Sequence, residues 1–203
     1  MSDAPVAVVW DIGRVLYQWN LRFLFAKLIA DPAELEWFVG HVVTEEWHFQ
    51  SDAGRPLAEM LPELKARFPA YIALIDAYRE RFAETLPAPV EGTHALVERL
   101  TARGVQQFAL SNFGVEFWAM FRPTAPIFAH FIDCVMSGEE RCAKPHAAIY
   151  AVLEQRSGLA GRDLFFVDDR ADNIGAAQAR GWRGHVFTTA PALERELAAL
   201  GLL

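Results

Sequence analysis

The run VAVVW, residues 6–10, leads straight into Asp11 and a glycine-containing turn, DIG. A short apolar run of this kind, largely β-branched and bounded by Pro5 and Gly13, suits a strand buried on both faces of a parallel sheet. Comparable runs follow much later, VQQFAL at 105–110, FIDCVM at 131–136 and DLFFV at 163–167, with a weaker one, GHVFT, at 184–188. Helical patterns separate them: THALVERLTARG (93–104), PHAAIYAVLEQRSG (145–158) and DNIGAAQARG (172–181), each ending in a glycine suited to a C-cap. Strand and helix alternate, which predicts a three-layer, doubly wound α/β sheet.

Residues 19–87 follow a different period. Asp31-Pro32-Ala33-Glu34 reads as a helix start. Leu57, Leu61, Leu64 and Phe68 fall at helical spacing, as do Ile72, Ile75, Tyr78 and Phe82. The prediction is an all-helical insertion at 19–87 inside a core made of 1–18 and 88–203. At 203 residues, with 53% hydrophobic and 22% charged, the chain has room for one such core and one smaller insert.

A formal charge of −7 without any basic run argues against nucleic-acid binding. Two cysteines, Cys134 and Cys142, form no zinc or disulfide pattern and read as structural. The start MSDAPVAVVW lacks the form of a signal peptide and no apolar run reaches membrane length, so the expectation is a cytoplasmic protein without membrane contact. No feature of the sequence sets an oligomeric state.

In an open parallel sheet, ligands bind beyond the carboxyl ends of the strands. Those ends carry Asp11, then Ser111-Asn112, then Asp168-Asp169, with Lys144-Pro145 entering a helix. If these tips converge, the carboxylates repel one another unless a cation joins them. An oxygen-only ligand set with one lysine suits Mg²⁺. One aspartate can then attack a phosphoryl group, while Ser111, Asn112 and Lys144 hold the phosphoryl oxygens of a small phosphate ester.

This set, in this order, resembles the haloacid dehalogenase (HAD) superfamily, in its subfamily I with the C1-type cap after the first motif. VVWDIGRVL resembles the first motif, FALSN the second, AKP the third and FFVDDRADNIGAAQARG the fourth. The resemblance implies Asp11 as nucleophile and magnesium ligand, Ser111 and Lys144 as phosphate holders, Asp169 as a direct magnesium ligand and Asp168 as its close neighbour. It also implies that the 19–87 insert is the cap.

Family phosphatases carry a second aspartate two positions after the nucleophile, where this chain has Gly13. The Gly13 carbonyl can still ligate magnesium, but a proton-transfer side chain worth roughly 10²–10⁴-fold is missing. DIGRVL is similar to the DxG(N)V form of a branch containing sugar-1-phosphate phosphatases, which favours hydrolysis of a small phosphate monoester. A 2-haloacid dehalogenase, with Asp11 attacking carbon, is the alternative, and a non-catalytic phosphate-binding protein of the same fold is another. Trp19, Trp47, His48 and Gln50 are candidates for the cap side, either as core or as substrate contacts, with His48 a conceivable proton donor. Asp172 can cap its helix or orient the acidic pair, and Arg14 and Arg170 can touch substrate or, as exposed arginines beside acidic residues more often do, balance charge.

Overall fold

A computed structural model describes residues 5–203; the first four residues of the expected core segment lie outside the described part. The strands are β1 (Ala7–Trp10), β2 (Gln106–Ser111), β3 (Asp133–Met136), β4 (Leu164–Asp168) and β5 (Arg183–Val186), each within three residues of its expected run. They form one parallel sheet in the order β3-β2-β1-β4-β5. The chain leaves β1 first toward β2 and later toward β4, so the strand order reverses at β1. That topological switch places a crevice beyond its carboxyl end.

Alternation along β1 explains the layers. Val8 and Trp10 face one buried cluster together with Leu96, Val97, Leu193 and Leu197, while Ala7 and Val9 face another with Ile149, Leu153, Ile174 and Trp182. Burying both faces is what made the run continuously apolar. The polar side chain of Gln107, buried within β2, is satisfied. It accepts from Trp10 Nε1 at 3.0 Å and donates to Val97 O and Thr101 Oγ1. β5 is half exposed, as an edge strand, which accounts for its weaker apolar signal.

Between β1 and the second strand lie α1 (Arg22–Phe25), α2 (Pro32–His41), α3 (Glu45–Asp52), α4 (Leu57–Arg67) and α5 (Ile72–Arg81). Asp31 caps α2 by accepting from Ala33 N at 3.0 Å, and Thr44 caps α3 by accepting from Trp47 N at 2.9 Å. Then come α6 (Thr93–Ala102), α7 (Val115–Phe121), α8 (Ser137–Glu140), α9 (Ala147–Ser157), α10 (Ala171–Gln178) and α11 (Ala190–Ala199). Gly104, Gly158 and Gly181 have positive φ, as their places after α6, α9 and α10 require.

The end of α3 presses against the sheet side of the molecule. A Cβ on Gly114 would stand 2.1 Å from Ser51 Oγ and 3.3 Å from the Ser51 main-chain carbon. Only glycine permits this approach. Ser137 Oγ closes the contact by donating to Asp52 O, and Glu116 accepts from Leu57 N at 3.0 Å. Among the described residues, no helix is long and apolar enough to cross a membrane.

Candidate active site

Asp11 follows the last residue of β1, and Ser111 ends β2 beside it. Because parallel strands in register end together, the Ser111 hydroxyl meets the carboxylate directly, donating to Asp11 Oδ1 at 2.7 Å. Ile12 N donates to the same oxygen at 2.7 Å. Lys144 Nζ completes the group at 2.9 Å from Asp11 Oδ1 and 2.7 Å from Asp168 Oδ2. The lysine is 3% exposed and Asp168 is fully buried, so these charges face each other away from water.

Burial raises the Asp11 pKa to about 7. The neighbouring Asp168 adds to the rise, while Lys144 and the Ser111 hydroxyl oppose it. Burial by itself would lower the Lys144 pKa, but Asp11 and Asp168 outweigh that and hold it above the ordinary lysine value. One ammonium is shared by two carboxylates, which leaves one negative charge uncompensated when both are ionised. Asp169, at the mouth of the same crevice, is also raised, by burial first and Asp168 second.

One oxygen from each of Asp11, Asp168 and Asp169 lies within 4.8 Å of the others. A hard dication fits this donor set, because carboxylate oxygens at such spacing repel unless a cation lies among them. Asn173 strengthens the fit. It lines the cavity, its Nδ2 donates to both oxygens of Asp168 at 3.0 Å, and its buried Oδ1 has no hydrogen-bond partner. The Asp168 carboxylate also accepts from Arg170 N at 2.8 Å, so it is held from several sides. Gly13 lines the same cavity.

The remaining sequence candidates divide. Asn112 lines the cavity, yet its amide is engaged elsewhere than on the expected phosphoryl oxygens: Nδ2 donates to Lys144 O at 3.0 Å and Oδ1 accepts from Lys144 N at 2.8 Å. Asn112 therefore clamps the backbone that carries the lysine. His48 lines the cavity, with Nδ1 2.6 Å from the Tyr78 hydroxyl and Nε2 3.4 Å from Asp52 Oδ2. Trp47, open in the sequence to either a core or a substrate-contact role, is buried with its ring edge-on to Tyr78, outside the cavity lining. One helical step turns it toward the core of the insert while His48 faces the crevice. Trp19 takes the cavity position, under the Arg14 guanidinium at 4.8 Å.

Gln50 accepts from Arg55 and does not line the cavity. Asp172 Oδ1 accepts from Asn173 N at 3.0 Å, a cap-like bond at the start of α10. The residue lies inside the first turn of α10 and pairs with Arg170 at 2.6 Å. Sequence reasoning missed Asp52 and the orienting part of Asn173. A usable signal existed for Asp52, since His48 and Asp52 are spaced i,i+4 and share a helix face.

The cavity above these groups has a volume of about 430 Å³. Core residues Asp11, Ser111, Lys144 and Asp169 line it, opposite Glu45, His48, Phe49 and Asp52 from α3. A family model for hydrolases of the haloacid dehalogenase-like kind matches residues 7–181. The chain belongs to that family. Among solved structures, this HAD-like hydrolase resembles a predicted HAD-like family hydrolase from Porphyromonas gingivalis, with TM-score 0.74 and 16% identity over 96% of this chain and 98% of that one. It also resembles a HAD family enzyme from Bacteroides thetaiotaomicron in complex with magnesium and inorganic phosphate, with TM-score 0.69 and 20% identity over 91% and 95% of the two chains. The L-2-haloacid dehalogenase of Xanthobacter autotrophicus matches at TM-score 0.65 and 19% identity, over 96% of this chain and 83% of that one. At these identities the likeness is one of fold. No curated protein matches this HAD-like hydrolase in sequence.

Proposed function

We propose that this HAD-like hydrolase cleaves a small phosphate monoester with Mg²⁺, through an aspartyl-phosphate on Asp11, and that residues 19–87 act as its cap. The observation that carries the reading is the convergence of Ser111 and Lys144 on one oxygen of Asp11, beside the Asp168–Asp169 pair. Asp11, Asp169 and the Gly13 carbonyl would hold the magnesium, with Asp168 close by. The bound ion would offset the carboxylate charge and draw electron density from the phosphoryl group.

An Asp11 carboxylate oxygen forms a bond to phosphorus as the ester P–O bond breaks. Ser111 and Lys144 donate to the phosphoryl oxygens, where the negative charge of the transition state lies. Water then attacks phosphorus, releasing inorganic phosphate and restoring the Asp11 carboxylate. Asn112 keeps Lys144 in place through its two bonds to the lysine backbone. A sugar phosphate suits the cavity, because Trp19, Phe49 and Phe82 offer aromatic faces for C–H groups and Glu45 and Glu46 offer acceptors for hydroxyls.

The dehalogenase alternative has Gly13 and the likeness to the Xanthobacter enzyme in its favour. Against it, a haloacid carboxylate would enter a site where two buried aspartates already share Lys144. Phosphate release from a panel of esters with and without Mg²⁺, set beside chloride release from 2-chloropropionate, decides between them. Mg²⁺-dependent phosphate release that disappears in Asp11→Asn supports the phosphatase. Metal-independent chloride release without phosphate release overturns it.

A further inference from the structure

Hydrolysis of an alkyl phosphate needs a proton for the departing oxygen, and Gly13 has no side chain to deliver one. Displacement in line with the Asp11 oxygen puts that departing oxygen on the far side of phosphorus. Of the cavity-lining groups on α3 able to hold a proton, Glu45 is exposed and paired with Arg14, and Glu46 is exposed at the rim. His48 has Nδ1 on the Tyr78 hydroxyl and Nε2 toward Asp52. Asp52 is different. It is 6% exposed, lines the cavity, and its buried Oδ1 has no hydrogen-bond partner.

We propose that Asp52 is the general acid and base of this site, delivered by α3 in place of the side chain absent at Gly13, with His48 as its positioning residue. The inference rests on the phosphatase reading above. The groups that face Asp52 are His48 on its own helix, the Gly114 N–H before α7 and Lys144 from the core, with Tyr78 of α5 behind His48. Burial raises the Asp52 pKa against the opposing pull of His48, Gly114 and Lys144, so its carboxyl keeps a proton to higher pH than an exposed aspartate does. A protonated Asp52 also removes the need for a counter-ion at the buried Oδ1.

The protons balance over two half-reactions. In the first, the Asp52 O–H gives its proton to the ester oxygen as the bond from that oxygen to phosphorus breaks and the Asp11–phosphorus bond forms. In the second, the Asp52 carboxylate takes a proton from the water whose oxygen attacks phosphorus, as the acyl-phosphate bond to Asp11 breaks. Ester and water become alcohol and phosphate, and Asp52 ends protonated.

The test is the leaving-group dependence of kcat/KM in the Mg²⁺-loaded wild-type protein and in Asp52→Asn. Alkyl phosphates should slow by about 10²–10⁴-fold in the variant. 4-Nitrophenyl phosphate, whose leaving group needs little protonation, should stay within about tenfold, so the dependence steepens. A second variant, Gly13→Asp on the Asp52→Asn background, should recover part of the alkyl-ester turnover, because a Cβ at Gly13 meets Trp19 only at 3.7 Å and so fits. Equal losses on both ester classes in a variant that melts like wild type, or no loss on either, would overturn the inference. If Asp52→Asn does not fold, Asp52→Ser is read by the same comparison and the same outcomes. A wild-type protein inert on every ester would sink the phosphatase reading itself, whereas an active wild type with an unselective Asp52 variant would sink only the role of Asp52.

Discussion

Lys144 Nζ lies 2.9 Å from Asp11 Oδ1 and 2.7 Å from Asp168 Oδ2, so a single buried ammonium joins the ends of β1 and β4. Removing it leaves two carboxylates facing each other without a counter-charge. Lys144→Met should destabilise the metal-free protein by about 3–5 kcal/mol, as breaking a buried ion pair does. It should also abolish phosphate release. Chemical denaturation measured with and without Mg²⁺ checks this, and Mg²⁺ should recover part of the lost stability.

Asn112 makes two hydrogen bonds to the Lys144 backbone, which engage both ends of its amide. Asn112→Ala should therefore lower kcat by about 10–100-fold through a misplaced lysine, in line with the sensitivity of rate to small displacements. KM should change little. Steady-state kinetics on 4-nitrophenyl phosphate separate the two parameters, and a loss confined to KM would assign Asn112 to substrate instead.

Stability without metal should fall as pH rises across the crevice titrations. An unfolded Asp11 releases its proton near 3.8, the ordinary aspartate value, whereas the folded one releases it at about 7. Between those values the folded state holds more protons, so each step up in pH favours unfolding. Asp169 and Asp52, also raised, act in the same direction. Glu84 acts in the opposite direction, being lowered to about 2 by Arg81 and Lys27, but its contribution is complete above its unfolded value of 4.5. His94, lowered from 6.5 by burial, also acts in the opposite direction below that value, so the fall set by the crevice carboxylates is clearest above about pH 6.5. The rise in Tm on adding Mg²⁺ should thus be larger at pH 7.5 than at pH 5.5, and equal rises would contradict the crevice as the cation site.

Gly114→Ala tests how α3 is seated. The new Cβ would meet Ser51 Oγ at 2.1 Å and the Ser51 main-chain carbon at 3.3 Å, so α3 must move outward. A cost of about 1–3 kcal/mol is expected, as for overpacked cores. Because Asp52 follows Ser51, alkyl-ester turnover should fall more than nitrophenyl-ester turnover. Thermal melting and the two assays together check it.

Much of this protein was legible in its residues alone. The apolar runs at 6–10, 105–110, 131–136, 163–167 and 184–188 located all the strands of the sheet, because burial on both faces forces a local composition. Their polar tips brought Asp11, Ser111, Lys144, Asp168 and Asp169 into one crevice, because parallel strands share a carboxyl edge. Direction within the helical insert was not legible. Whether Trp47 reaches the cavity depends on how α3 is rotated, and α3 is seated by contacts far along the chain, at Gly114 and Ser137. The same holds for Asn112, whose amide turned to a lysine backbone 32 residues away, and for Asn173, which turned to Asp168. The strand edge followed from a repeating local requirement. The proton-bearing wall followed from close packing between distant segments, which no periodicity records.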